Sequence, residues 1–129
     1  MAVTGSCLCG AVRLTIDGPM RPVSFCHCTQ CRRQSGHFVA ATAAADADMT
    51  IEGADSISWY AASDAARRGF CSACGSLLLW KTNGSDRTSI MMGCLDKPTG
   101  VTGRKHIFCA EKGDYYEIDD GLPQYAAYE

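Results

Sequence analysis

The sequence contains no run of 18 apolar residues, so no segment qualifies as a membrane-spanning helix. Its opening residues, MAVTGSCLCG, have neither a basic nor an apolar segment. An export signal is therefore not expected, and the cytoplasm is the expected location. Positive charge is scarce: 12 Lys and Arg stand against 14 Asp and Glu, for a formal charge of −2. An acidic chain without a basic cluster is a poor partner for a phosphate backbone, which argues against a nucleic-acid-binding zinc ribbon. The local exception, Arg32-Arg33, reads either as solvated charge or as a contact for a carboxylate. There is no serine-nucleophile motif, no glycine loop that would cradle a phosphate and no dinucleotide fingerprint. The adjacent acids Asp119-Asp120 are placed to cap a turn rather than to do acid–base work. Internal repeats, linkers and long amphipathic helical patterns are also missing, so residues 1–129 are expected to form a single domain.

What the chain has in quantity is cysteine, nine in 129 residues. The count is odd and no export signal is visible, so a disulfide scaffold is the weaker reading and metal binding the default.

The apolar pattern comes in short pieces. Alternation at Ala11 to Ile16 suits a half-buried strand, broken by Gly18-Pro19. Further strands are expected at 23–26, 37–41, 49–52, 57–61, 76–81 and 89–92, with a turn at Asn83-Gly84. Thr29 to Gln34 suits one or two helical turns, with Thr29 as N-cap and Gly36 as stop. Asp64 to Arg67 is a second candidate helical turn. Many short strands with frequent turns predict a small, mainly β domain. Such a domain buries little core per residue, and metal staples would help to hold it.

The cysteines fall into three groups and two singles. Cys7-Leu8-Cys9 is a CxC pair, Cys26-His27-Cys28-Thr29-Gln30-Cys31 a CxCxxC triplet, and Cys71-Ser72-Ala73-Cys74 a CxxC knuckle, while Cys94 and Cys109 stand alone. Tetrahedral zinc with Zn–S near 2.3 Å needs sulfurs roughly 3.8 Å apart. Two cysteines on one side of an extended strand can meet that spacing, and so can two across a tight turn. Each local pair is followed by glycine, Gly10 and Gly75, which lets the chain fold back beneath a metal. Counting then pairs Cys7 and Cys9 with Cys71 and Cys74 as a complete, structural four-thiolate site. Closing so long a loop removes denatured-state entropy.

Cys26, Cys28 and Cys31 can reach a second ion and leave its fourth position open, as catalytic zinc requires. The alternatives are a second closed site completed by Cys94 or Cys109, or one completed by a histidine. His27, between two candidate ligands, is expected to point away from the metal into packing. His37 and His106 carry no spacing signal.

With these groups in view, the sequence resembles the glutathione-dependent formaldehyde-activating enzyme family, which includes centromere protein V. The matching stretches are 5–12 (GSCLCGAV), 26–32 (CHCTQCR), 70–76 (FCSACGS), Gly93 to Asp96, His106 to Phe108 and Asp120 to Tyr125. The resemblance implies a β-tent fold of antiparallel sheets with two zinc ions. One is structural at Cys7, Cys9, Cys71 and Cys74, and the other catalytic at Cys26, Cys28 and Cys31. It also implies carbon–sulfur lyase chemistry that joins glutathione to formaldehyde as S-hydroxymethylglutathione. Tyr115 stands where relatives often have Trp, and Cys94 and Cys109 where they carry other small residues. Two further readings share the ligands: a non-enzymatic zinc module with two structural sites, and an enzyme that adds a thiol to a xenobiotic.

Overall fold

The computed structural model describes residues 2–128. Its first sheet is built by β1 (Val3–Ser6), β2 (Arg13–Ile16) and β5 (Met49–Glu52), in the order β1-β2-β5 and antiparallel throughout. The alternation read from the sequence fixes its orientation. Leu14 and Ile16 on β2 are buried, while Arg13 on the opposite face is exposed.

The second sheet has seven strands in the order β10-β3-β4-β9-β8-β7-β6. They are β3 (Val23–Cys26), β4 (Val39–Ala45), β6 (Ile57–Tyr60), β7 (Ala66–Cys71), β8 (Leu77–Thr82), β9 (Arg87–Met91) and β10 (Gly103–Ile107). The fold is mainly β with antiparallel sheets, as the sequence leads one to expect, except that β10 runs parallel to β3. No helix among the described residues is long and apolar enough to cross a membrane.

Each face of the larger sheet carries its own core. On one face, Leu14, Ile16 and Val12 pack against Ala44, Leu78, Leu79 and Ile90, which joins the two sheets. Leu78 and Leu79 are neighbours in sequence yet belong to one cluster. Between Phe70–Leu77 and Gly69–Leu79 the pairing slips by one residue, and this bulge turns both leucines inward. On the other face, Val39, Ala41 and Met91 pack against Cys31 of the single α-helix, α1 (Thr29–Ser35).

Several elements differ from the sequence expectation. The helix is capped by Cys28 rather than Thr29, with the Cys28 sulfur accepting from the Cys31 amide at 3.3 Å. The expected stop does hold: Gly36 sits at φ 89° and donates to the Arg32 carbonyl. No helical turn forms at Asp64–Arg67, because Ala66 already opens β7. Strands β1, β7 and β10 carry few contiguous apolar residues; β1 and β7 form by pairing with the strands next to them in the chain, and β10 by pairing with β3 far upstream.

Candidate metal centres and the adjoining cavity

The CxC pair lies in the connection from β1 to β2, on the small sheet. Cys71 ends β7 and Cys74 sits in the turn to β8, on the large sheet. The four sulfurs nonetheless lie within 4.8 Å of one another. Cys7 to Cys9 is 3.6 Å and Cys9 to Cys71 is 3.8 Å, the spacing of ligands on a tetrahedral ion. Both knuckle glycines adopt left-handed backbone, Gly10 at φ 81° and Gly75 at φ 79°. Ser76 ties the two halves together: its hydroxyl accepts from the Leu8 amide at 2.9 Å and lies 3.2 Å from the Cys74 sulfur. Donation from that hydroxyl holds the Cys74 thiol down at about 5. Cys7 and Cys71 are buried, and Cys9 is exposed at the rim.

The second group is local. Cys26 ends β3, Cys28 caps α1, and Cys31 lies one turn in, with all three sulfurs within 4.8 Å of one another. Without a cation the three cannot all ionise. Hydrogen bonds from Cys26 and then Cys31 favour the Cys28 thiolate, while the Cys28 and Cys31 sulfurs and burial push Cys26 far up. This is a donor set that a divalent ion satisfies, and its soft sulfurs suit zinc. Among the described residues no histidine, carboxylate or further cysteine joins the group. Cys94 lies against the inter-sheet core and donates to the Met91 carbonyl at 3.1 Å, and Cys109 lies beyond the end of β10. None of the nine cysteines forms a disulfide.

The triplet faces a cavity of about 530 Å³, lined by all three of its cysteines, and the four-cysteine group is not on that wall. The size lies within the range of small-molecule sites, roughly 300–1,000 Å³. Its apolar surface comes from Val39, Ala41, Met91, Ile107 and Trp80. Its charges are Arg68 and Arg21, which sequence reasoning passed over in favour of Arg32 and Arg33. Neither Arg32 nor Arg33 lines the cavity, which α1 meets through Gln30 and Cys31. Arg68 on β7 is buried, and its Nη1 donates to Gln34 Oε1 at 3.1 Å and approaches the Cys31 sulfur at 3.5 Å. Its Nη2 donates to Gln30 Oε1 at 3.1 Å. The sequence held no signal for it: ARRGFC carries no apolar alternation, and only once β7 is paired does Arg68 fall on the cavity face with Arg67 opposite.

Behind the triplet lies a polar chain. His27 is buried and turned away from the sulfurs, as its place between Cys26 and Cys28 predicts. Its Nδ1 contacts the Tyr116 hydroxyl, and its Nε2 is 2.8 Å from His106 Nδ1. His106 Nε2 is 2.7 Å from Asp120, whose other oxygen accepts from the Leu122 amide. Asp120 thus caps a turn, as expected, and also anchors His106.

The fold and its two cysteine groups define a small β protein with two candidate thiolate metal centres, one complete in four sulfurs and one with three facing a cavity. Residues 2–111 match the model of the glutathione-dependent formaldehyde-activating enzyme family, and the chain belongs to that family. It is 32% identical to a Halomonas elongata protein whose name places it in the same family, over 92% of this chain and 82% of that protein. It is 29% identical to an uncharacterized lyase of Schizosaccharomyces pombe, over 88% of this chain and 83% of that protein. The crystal structure of a Rhodobacter sphaeroides protein has the same fold, with a TM-score of 0.63 at 18% identity, covering 95% of this chain and 98% of the other.

Proposed function

We propose that the protein is a zinc-dependent carbon–sulfur lyase. In this reading it joins glutathione, or a related thiol, to formaldehyde or another small electrophile, and also cleaves the adduct. The reaction forms a carbon–sulfur bond, opens the carbonyl π bond and moves the thiol proton to the new hydroxyl. Bound by Cys26, Cys28 and Cys31, zinc would supply a soft fourth position that favours the thiolate form of an incoming thiol. Cys7, Cys9, Cys71 and Cys74 would hold the structural ion that fastens the two sheets.

The chain's own groups support each part. Val39, Ala41, Met91 and Trp80 give the space beside the sulfur cluster an apolar wall. Arg68 places a fixed positive charge beside Cys31, which offsets the charge of a thiolate set that exceeds the charge of a divalent ion. Nine cysteines with no disulfide among them suit a reducing compartment, the cytoplasm. The carrying observation is that the three-sulfur group has no fourth member among the described residues and opens on the cavity.

The test is zinc content and formaldehyde turnover in wild type and Cys28→Ser. Wild type should hold two zinc ions per chain and turn over glutathione with formaldehyde. The variant should hold one and lose activity while keeping its fold. Full activity in the variant would overturn the assignment. A wild type with two tightly held ions that glutathione never perturbs would show instead a non-enzymatic module.

A further inference from the structure

The cavity beside the triplet has an uneven charge pattern. Arg21 and Arg68 line it, and among the described residues not one Asp or Glu does. Among the described residues the ion pairs are Lys81–Asp46 and His106–Asp120, so neither guanidinium has a carboxylate partner.

The two arginines differ in what occupies their donors. Arg68 is committed to Gln30, Gln34 and the Cys31 sulfur. Arg21 is anchored only to backbone carbonyls, Nη2 to Ala41 at 3.0 Å and Nε to Pro22 at 3.4 Å. A guanidinium carries five N–H donors, so most of those on Arg21 are left for a guest. Its backbone is fixed on both sides, donating to the Ala43 carbonyl and accepting from the Thr42 hydroxyl. Burial lowers Arg21 below its ordinary value, and the groups that act on its charge are the Tyr128 phenol and the Arg87 cation. Among the described residues this half-buried cation has no carboxylate counter-ion, and Arg87 works against its charge.

The spacing matters as well. Ala41, the anchor of Arg21, lies on β4 two residues beyond Val39, the residue paired with Cys26. That backbone displacement is about 7 Å along the strand, and one cavity takes in both the sulfur cluster and Arg21.

We propose that the cavity selects a thiol bearing a carboxylate, and that Arg21 is the specificity-determining residue that receives it. Arg68 stays with the sulfur cluster. A neutral or amine-bearing thiol gives Arg21 no counter-charge and binds less well. The inference rests on the thiol-addition reading for where the guest's sulfur lies, and its test separates the two.

S-methylglutathione has no free thiol, so its binding reports recognition of the molecule's body alone. Calorimetric titration of the zinc-loaded protein compares this acid with its dimethyl ester, on wild type, Arg21→Gln and Arg21→Lys. Esterification should weaken binding to wild type by roughly tenfold or more, as loss of a charged hydrogen bond does. Arg21→Gln should show the same loss for the acid and no further loss for the ester, with partial recovery in Arg21→Lys. Equal binding of acid and ester to wild type would overturn the inference even if no variant folds. So would Arg21→Gln binding the acid like wild type, or an absence of binding altogether. Arg21-dependent binding without any turnover of glutathione and formaldehyde would sink the proposed reaction and leave this inference standing.

Discussion

His27 Nε2 lies 2.8 Å from His106 Nδ1, although 79 positions separate the two residues. With both rings neutral the chain has one consistent assignment. Tyr116 donates to His27 Nδ1, His27 Nε2–H to His106 Nδ1, and His106 Nε2–H to Asp120. The link braces the loop that carries Cys26 and Cys28 against β10, and the His27 amide adds a bond to the Ile107 carbonyl at 3.1 Å. His106→Leu removes the acceptor and leaves a buried N–H on His27, which should cost about 1–3 kcal/mol. Urea denaturation measures the loss, and a change within error would show that the brace does not hold the loop.

Burial, and then the nearby His106, hold His27 at about 4, against an ordinary value of 6.5. Between those two pH values the unfolded chain binds a proton that the folded chain refuses. Stability therefore falls as pH drops from 6.5 towards 4, and above 6.5 this residue has no effect on the slope. Urea midpoints across that window should fall less steeply for His27→Gln, which cannot titrate. Parallel curves for the two proteins would rule out His27 as the source.

The two candidate metal centres should respond differently to removal of one sulfur. Cys71 is fully buried and joins the end of β7 to the connection between β1 and β2. Cys71→Ser should therefore cost several kcal/mol, roughly what opening a long cross-linked loop removes, and loosen both sheets. Cys28→Ser lies within one short segment and should leave circular dichroism and most of the stability intact. Zinc content and thermal unfolding of the pair decide the matter. Equal losses would mean that both ions are structural.

Gly75 tests the knuckle itself. At φ 79° it has open space where a Cβ would go, so Gly75→Ala meets no neighbour and the cost is one of backbone alone. About 1–2 kcal/mol is expected, visible in the unfolding midpoint and in tighter chelator competition for the four-cysteine ion. An unchanged midpoint would mean that the turn relaxes without that backbone.

The parts of the protein legible in the sequence are those whose chemistry is local. Strands β3 and β5 fall where the apolar runs stand, and Gly36 ends the helix as a left-handed residue must. Strand β7 was misread because its sequence, ARRGFC, has no apolar alternation of its own. It is a strand because β6 and β8 flank it and complete its backbone hydrogen bonds. The N-cap was misplaced by one residue because a thiol is seldom counted among capping groups, yet the Cys28 sulfur accepts the helix amide.

Cysteine spacing by itself marked the CxC, CxCxxC and CxxC groups as candidate ligands, and counting suggested joining the first to the last. A ligand pair within two or three residues converges through local backbone geometry, whatever the rest of the chain does. Only the tertiary structure decided that the four-sulfur group bridges two sheets, that the triplet opens on a cavity, and that Arg68 and Arg21 supply its charge. Those placements come from strand order and register, which bring together residues tens of positions apart. Such encounters depend on the whole packing of the chain and leave no periodic mark in the sequence around either partner.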